Sequence, residues 1–219
     1  MQKRKPTNKY YFSVEGENEQ WYLKWLQDMI NSIEESVCKV SIDCHVKKNP
    51  LKHAKSLTVT WKIEIYHFFD YESDEPIHVQ GFQDVMDNMK KAEKLGKKIK
   101  YKSGYSNFTF DLWIILHMMN CNASYAHRKQ YVTQINRAFG EKFENMDEYK
   151  HEDNFKRCLS KMNLSNVIAA IDRAKKIMQK NKENGYILQQ YKGYRYYKEN
   201  PSLTAWEAVE EILSECKLI

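Results

Sequence analysis

Glycine and proline are scarce in this chain, seven and four in 219 residues, and no internal period is visible. That combination argues against a disordered polymer or a repeat array. Cysteine is sparse and unpatterned: Cys38, Cys44, Cys121, Cys158 and Cys216 are odd in number and form no CxxC pair. A disulfide framework or a cysteine zinc site is therefore a poor expectation, and buried free thiols are the better one. Long apolar runs are lacking as well. The longest, Leu112 to Met119, is about half of the ~18 residues that a membrane span needs, and it contains His117. The basic start Met1-Gln2-Lys3-Arg4-Lys5-Pro6 is not followed by a signal-peptide apolar region, so a cytoplasmic protein with no membrane partner is expected. No GxxxxGK[ST] occurs, so no phosphate-binding loop of that type is expected.

What is present supports a real core: 42% of the residues are hydrophobic and 13% aromatic. The length suits one sizeable domain or a domain with a helical extension. A formal charge of +6 allows a phosphate-rich partner, although a solvated surface accounts for it equally well. The chain is organised around Tyr10-Tyr11-Phe12-Ser13-Val14-Glu15-Gly16-Glu17-Asn18-Glu19-Gln20-Trp21-Tyr22-Leu23. Its first half reads as a buried strand, and from Asn18 the apolar residues recur at helical spacing. Glu15 then stands where a strand stops, and Gly16 tolerates positive φ or the close approach of another group. The carboxyl end of a strand turning into a helix is where open α/β sheets bind ligands, which makes Glu15 a site candidate. The plainer alternative is a turn glutamate favouring a helix N-terminus.

Cys38 to Val46 alternates like a half-buried strand toward a sheet edge, and Pro50 can open a short helix. Ile63 to Phe69 is an apolar strand running into Asp70-Tyr71-Glu72-Ser73-Asp74-Glu75-Pro76. Asp70 and Glu72 face the same way if the chain stays extended for one more residue. With Glu15 they would form three mutually repelling carboxylates, which a hard divalent cation such as Mg²⁺ would neutralise; an acidic loop cap is the alternative.

Phe82 to Leu95 has the pattern of an amphipathic helix ended by Gly96, and Lys97 to Lys102 that of a short strand. Lys98, Lys100 and Lys102 could contact phosphates or simply guard a sheet edge. Ser106-Asn107 reads as a turn or capping pair before the apolar run from Leu112. Asp111 and His117 are the polar groups of that dry segment, and a hydrogen-bonded structural role is the commoner one for such a histidine. From residue 126 onward four helices are expected, over His127 to Phe139, Asp153 to Met162, Ser165 to Lys180 and Ser202 to Cys216, with Ser165 and Ser202 as N-caps. Tyrosines 186, 191, 194, 196 and 197 interleave with Lys192, Arg195 and Lys198. They suit base stacking or the packing of a loop against helices.

Taken together, four stretches resemble the RloB family, Toprim-like proteins of bacterial restriction and abortive phage-resistance loci. They are Val14-Glu15-Gly16-Glu17 with Trp21-Tyr22-Leu23; Phe68-Phe69-Asp70-Tyr71-Glu72; Ser106-Asn107-Phe108-Thr109-Phe110-Asp111-Leu112-Trp113-Ile114-Ile115-Leu116-His117; and Asn200-Pro201-Ser202-Leu203-Thr204. The resemblance implies an α/β fold, a Toprim-like, mainly parallel sheet flanked by helices over residues 1–125, with a helical C-terminal region over 126–219. It also implies a nuclease that uses Mg²⁺ or Mn²⁺ to cleave DNA or RNA phosphodiesters in anti-phage defence, beside an ABC-type or AAA-type ATPase partner. Glu15 would be metal ligand or general acid/base, and Asp70 and Glu72 the metal-binding pair. Glu19, Asp111, Asn107 and His117 are second-rank candidates, and Lys98, Lys100 and Lys102 phosphate contacts. The chain departs from the family where Asp70-Tyr71-Glu72 replaces Asp-x-Asp, where Asp111 replaces a frequent Glu, and where Asn18-Glu19-Gln20 replaces Thr-Glu-Pro. The alternative is a non-catalytic subunit that binds nucleic acid or the ATPase; a phosphatase with Asp70 as nucleophile ranks third, and a homo-oligomer is left open.

Overall fold

A computed structural model describes residues 4–125 and 127–219. Four parallel strands form the central sheet: β1 (Thr7–Val14), β2 (Lys39–Val46), β3 (Ile63–Tyr71) and β4 (Ile99–Asn107), in the order β2-β1-β3-β4. Parallel neighbours need crossovers, and three helices supply them: α1 (Glu17–Ser32), α2 (Pro50–Ser56) and α3 (Pro76–Glu93). β1 and β3 lie inside the sheet, which is why their sequences are apolar nearly throughout. β2 is an edge strand, as its alternation predicts.

The period-2 rule sorts the side chains into two cores. Phe12, Val14, Tyr66 and Phe68 face α1 and the C-terminal helices, whereas Ile63, Ile65, Phe69 and Tyr71 face α2 and α3. The chain leaves β1 toward β2 on one side and returns to β3 on the other. Strand order therefore reverses between β1 and β3, and that reversal opens a crevice at their carboxyl ends.

Beyond β4, helix α4 (Asp111–Met118) is buried on every side, as an all-apolar helix must be. Helices α5 (Tyr131–Phe139), α6 (Met146–Lys150), α7 (Glu152–Leu159), α8 (Leu164–Glu183) and α9 (Ala205–Glu215) complete the chain. The C-terminal region is stitched to the sheet. Residues 202 to 204 run antiparallel beside the end of β4, with Asn107 N–H donating to Ser202 O at 2.9 Å and Thr204 N–H to Tyr105 O at 2.8 Å. That segment covers part of an edge that would otherwise be open.

Several boundaries differ from the sequence reading. α3 starts at Pro76 rather than Phe82, because proline is pre-set for a first helical turn. A 3₁₀ turn, Arg128–Gln130, precedes α5, and α6 was not foreseen at all. Asn163, not Ser165, caps α8, through a reciprocal capping box with Asn166. Ser202 is no cap either: it is buried and hydrogen-bonded to Asn107 and Tyr197 O, and α9 begins at Ala205. Of the interleaved aromatics, Tyr194, Tyr196 and Tyr197 are buried. The hairpin β5 (Gln189–Tyr191) and β6 (Tyr194–Tyr196) sets Tyr196 edge-on to Phe82 and Tyr105 and tilted against Tyr71, so these rings pack the fold. The five cysteines are free thiols, four of them buried.

Gly104 in β4 is required by close approach: a Cβ there would stand 2.4 Å from the Phe68 ring and 3.5 Å from Ala205 Cα. Gly104→Ala forces that ring out of its packing, and chemical denaturation should show a loss of about 1–3 kcal/mol.

Candidate acidic centre

Glu15 immediately follows β1, and Asp70 is the penultimate residue of the neighbouring β3. Register brings them together: Val14 pairs with Phe68, and the Asp70 N–H donates to Glu15 Oε2 at 3.3 Å. Two further carboxylates stand behind them. Glu19 lies in the first turn of α1 and is buried; Asp111 is the first residue of α4 and is 1% exposed. Both occupy helix N-termini, where the unsatisfied N–H groups favour negative charge. Gly16 has φ −140°, which any residue adopts, so its function is not a left-handed turn. A Cβ at Gly16 would lie 3.0 Å from Glu19 Oε2, and the missing side chain is what lets Glu19 fold in.

The turn from β4 into α4 completes the frame. Phe108 holds φ 64°, an outlier for a bulky residue, while its N–H donates to Tyr71 O at 2.8 Å. Thr109 Oγ1 donates to Asp111 Oδ2 at 2.7 Å, and Lys150 Nζ of α6 lies 3.3 Å from the same oxygen.

Charge balance in this space is poor. Burial raises the Glu15 carboxyl from 4.5 to about 7, with Glu19 and Glu72 adding repulsion and Lys48 opposing it. Burial also raises Glu19, with Asp111 repelling it, and holds Asp70 well above the ordinary range, with Glu19 and Glu15 contributing. The same acids act in the opposite sense on Lys150: Asp111 foremost holds its ammonium charged, against the cost of burial.

Hard carboxylate oxygens short of positive charge suit a divalent cation of the Mg²⁺ type. Among the described residues no three His, Cys, Asp or Glu side chains are gathered closely enough to enclose an ion as they stand. The donor set nevertheless fits Mg²⁺, which keeps several waters and takes only one or two carboxylates directly. Glu15 and Asp70 are the pair that could supply them.

The remaining predicted residues are held by other partners, although Glu72 still acts on Glu15 from the rim. Glu72 is exposed on the rim, with Oε2 3.4 Å from His78 Nε2, because β3 ends at Tyr71 and the extended alternation stops there. Asn107 is buried and its amide reaches the backbone of Tyr197, Lys198 and Glu199, clamping the C-terminal segment rather than facing the acids. His117 is fully buried between Trp113 O and the Tyr22 hydroxyl, with its imidazole lowered to about 4 by burial, the structural role anticipated for it. Lys98 and Lys100 flank the start of β4, at the opposite end of the sheet. Lys102 is held by Glu64 at 2.7 Å and Glu211 at 2.8 Å over the Tyr66 ring. Lys150 and Lys48, the cations that do act on the acids, had no distinguishing signal in the sequence.

Four parallel strands flanked by helices, with acids at the switch point, define an α/β domain of the open-sheet class. A family model described as RloB-like protein matches residues 10–212, and the chain belongs to that family. No curated protein and no solved structure matches the chain. Among the described residues, no helix is long and apolar enough to cross a membrane.

The raised Glu15 pKa has a definite linkage sign. Its contribution to stability is full below about pH 4.5 and lost as pH rises through about 7, because the folded state holds the proton more tightly. The shift corresponds to a ceiling of ~3 kcal/mol. Glu15→Gln should therefore raise the melting temperature of the metal-free protein at about pH 8 and leave it unchanged near pH 4.

Proposed function

We propose that this RloB-like protein is a Mg²⁺-dependent, Toprim-like nuclease that cleaves DNA or RNA phosphodiester bonds in anti-phage defence. The observation that carries this reading is the juxtaposition of Glu15 and Asp70 at the carboxyl ends of adjacent parallel strands. Glu19 and Asp111 back that pair from two helix N-termini. Glu15 and Asp70 would hold the cation, which when bound stabilises charge on a transferring phosphoryl group and lowers the pKa of a water. Glu15 can also accept a proton from the attacking water, since it stands at the open end of β1 and is not tied into an ion pair among the described residues. Thr109 and Lys150 fix the Asp111 carboxylate and limit its repulsion of Asp70. The chain has no phosphate-binding loop, so an ATPase of the ABC or AAA type would be a separate partner, in the cytoplasm.

The rim position of Glu72 favours one other reading, a non-catalytic subunit in which the same edge recognises nucleic acid. Cleavage assays on DNA, tRNA and other RNA with Mg²⁺ or Mn²⁺ separate the two. Glu15→Gln and Asp70→Asn should each lower metal-dependent cleavage at least about a hundredfold, and Glu72→Gln less than about tenfold. Wild-type protein that binds but never cuts, or folded Glu15 and Asp70 variants that cut normally, would support the binding subunit or remove the acids from the chemistry.

A further inference from the structure

The acids described above repel a polyanion as readily as they attract a cation, so any polynucleotide must be held by positive charge beside them. Lys98, Lys100 and Lys102 do not meet that need at the carboxyl edge, since they line the first half of β4. Cations do stand on both flanks of the acidic centre. On the β2 side, Lys47 and Lys48 follow the strand directly, and the Lys47 N–H donates to Val14 O at 2.8 Å, one residue before Glu15. Next to the turn that follows β4, a cleft of about 500 Å³ has Thr109, Arg128, Lys129 and Lys150 in its lining. Thr109 and Lys150 are the two residues bonded to Asp111, so this cleft opens from the acidic centre itself.

Lys47, Lys48, Arg128 and Lys129 are exposed, and among the described residues none is in an ion pair. Glu144 and Asp147 share the lining of the cleft and Lys150 is set against Asp111, which leaves Arg128 and Lys129 as the charges able to meet a phosphate there. The first pair follows β2 and the second lines a cleft that also holds Thr109, just past the end of β4, so the two pairs come to the acids from different elements.

From this placement we infer that a nucleic-acid backbone crosses the carboxyl edge of the sheet. Its phosphates are held by Lys47 and Lys48 on one flank and by Arg128 and Lys129 on the other, with the scissile bond over Glu15 and Asp70. The inference rests on the nuclease reading for the position of the scissile bond, but it concerns binding and is tested without cleavage.

The test is fluorescence anisotropy of labelled single-stranded and duplex oligonucleotides with the full chain in EDTA, across about 50–200 mM salt. Two contacts at ~0.7 to ~0.9 each set the expected change in the slope of log K against log salt. Lys47→Ala/Lys48→Ala and Arg128→Ala/Lys129→Ala should each reduce that slope by about 1.4 to 1.8 and weaken binding about tenfold. Lys98→Ala/Lys100→Ala serves as the control and should leave the slope unchanged. An unaltered slope in both flank variants, an equal loss in the control, or no salt-dependent binding by the wild-type protein overturns the inference. If the flank variants lose binding while folded Glu15→Gln and Asp70→Asn still cut, the track stands and the assignment of the acids falls. If the acids prove essential while the flank variants bind normally, the converse holds.

Discussion

At the carboxyl edge of this sheet Glu15, Glu19, Asp70 and Asp111 crowd together with too little positive charge among them, and that imbalance is the constraint on which the rest of the site depends. Glu15, Glu19 and Asp70 lie near enough to one another and to Asp111 that repulsion adds to burial in raising their proton affinity, and Lys150 is set against Asp111. A fold that needed only stability would not gather them. Hydrophobic packing on both faces of β1 and β3 holds the strands in register, and the acids are carried to the rim by that register. The repulsion is tolerated because two helix N-termini, one lysine and protonation share the task of neutralising it.

The topology makes the location unavoidable. With all four strands parallel, every carboxyl end lies at the same edge, and the reversal of strand order between β1 and β3 leaves no crossover helix above that pair. Gly16 then admits the Glu19 carboxylate, and the strained turn at Phe108 delivers Asp111 from the other side. The C-terminal helices contribute more than bulk: α6 supplies Lys150, and the 202–204 segment fixes the end of β4 from which the turn departs.

Much of this was legible in the sequence, for physical reasons that also explain the failures. Glu15 and Asp70 were readable because an apolar run that stops at an acid marks both a strand and its end. Their adjacency was a matter of strand order, which no local pattern encodes. The shared direction expected of Asp70 and Glu72 rested on extension continuing past Tyr71; the strand stops there, and Glu72 stands on the rim against His78. The lysines of β4 were recognisable as a charged strand, but phosphate contact depends on which end of the sheet they occupy, and theirs is the far one. Asn107 looked like part of a functional turn because a buried amide clamp and a ligand-facing amide leave the same trace in one sequence. Lys150 escaped notice because α6 is only five residues long and one lysine among 35 basic residues carries no mark.

The central claim is a cation seat at the β1/β3 switch point, and anomalous diffraction from crystals soaked in Mn²⁺ tests it most directly. The account predicts an anomalous peak within coordination distance of Glu15 and Asp70, with the remaining positions filled largely by water. A peak seated instead between Glu72 and His78, or no peak at the switch point at saturating Mn²⁺, would contradict it.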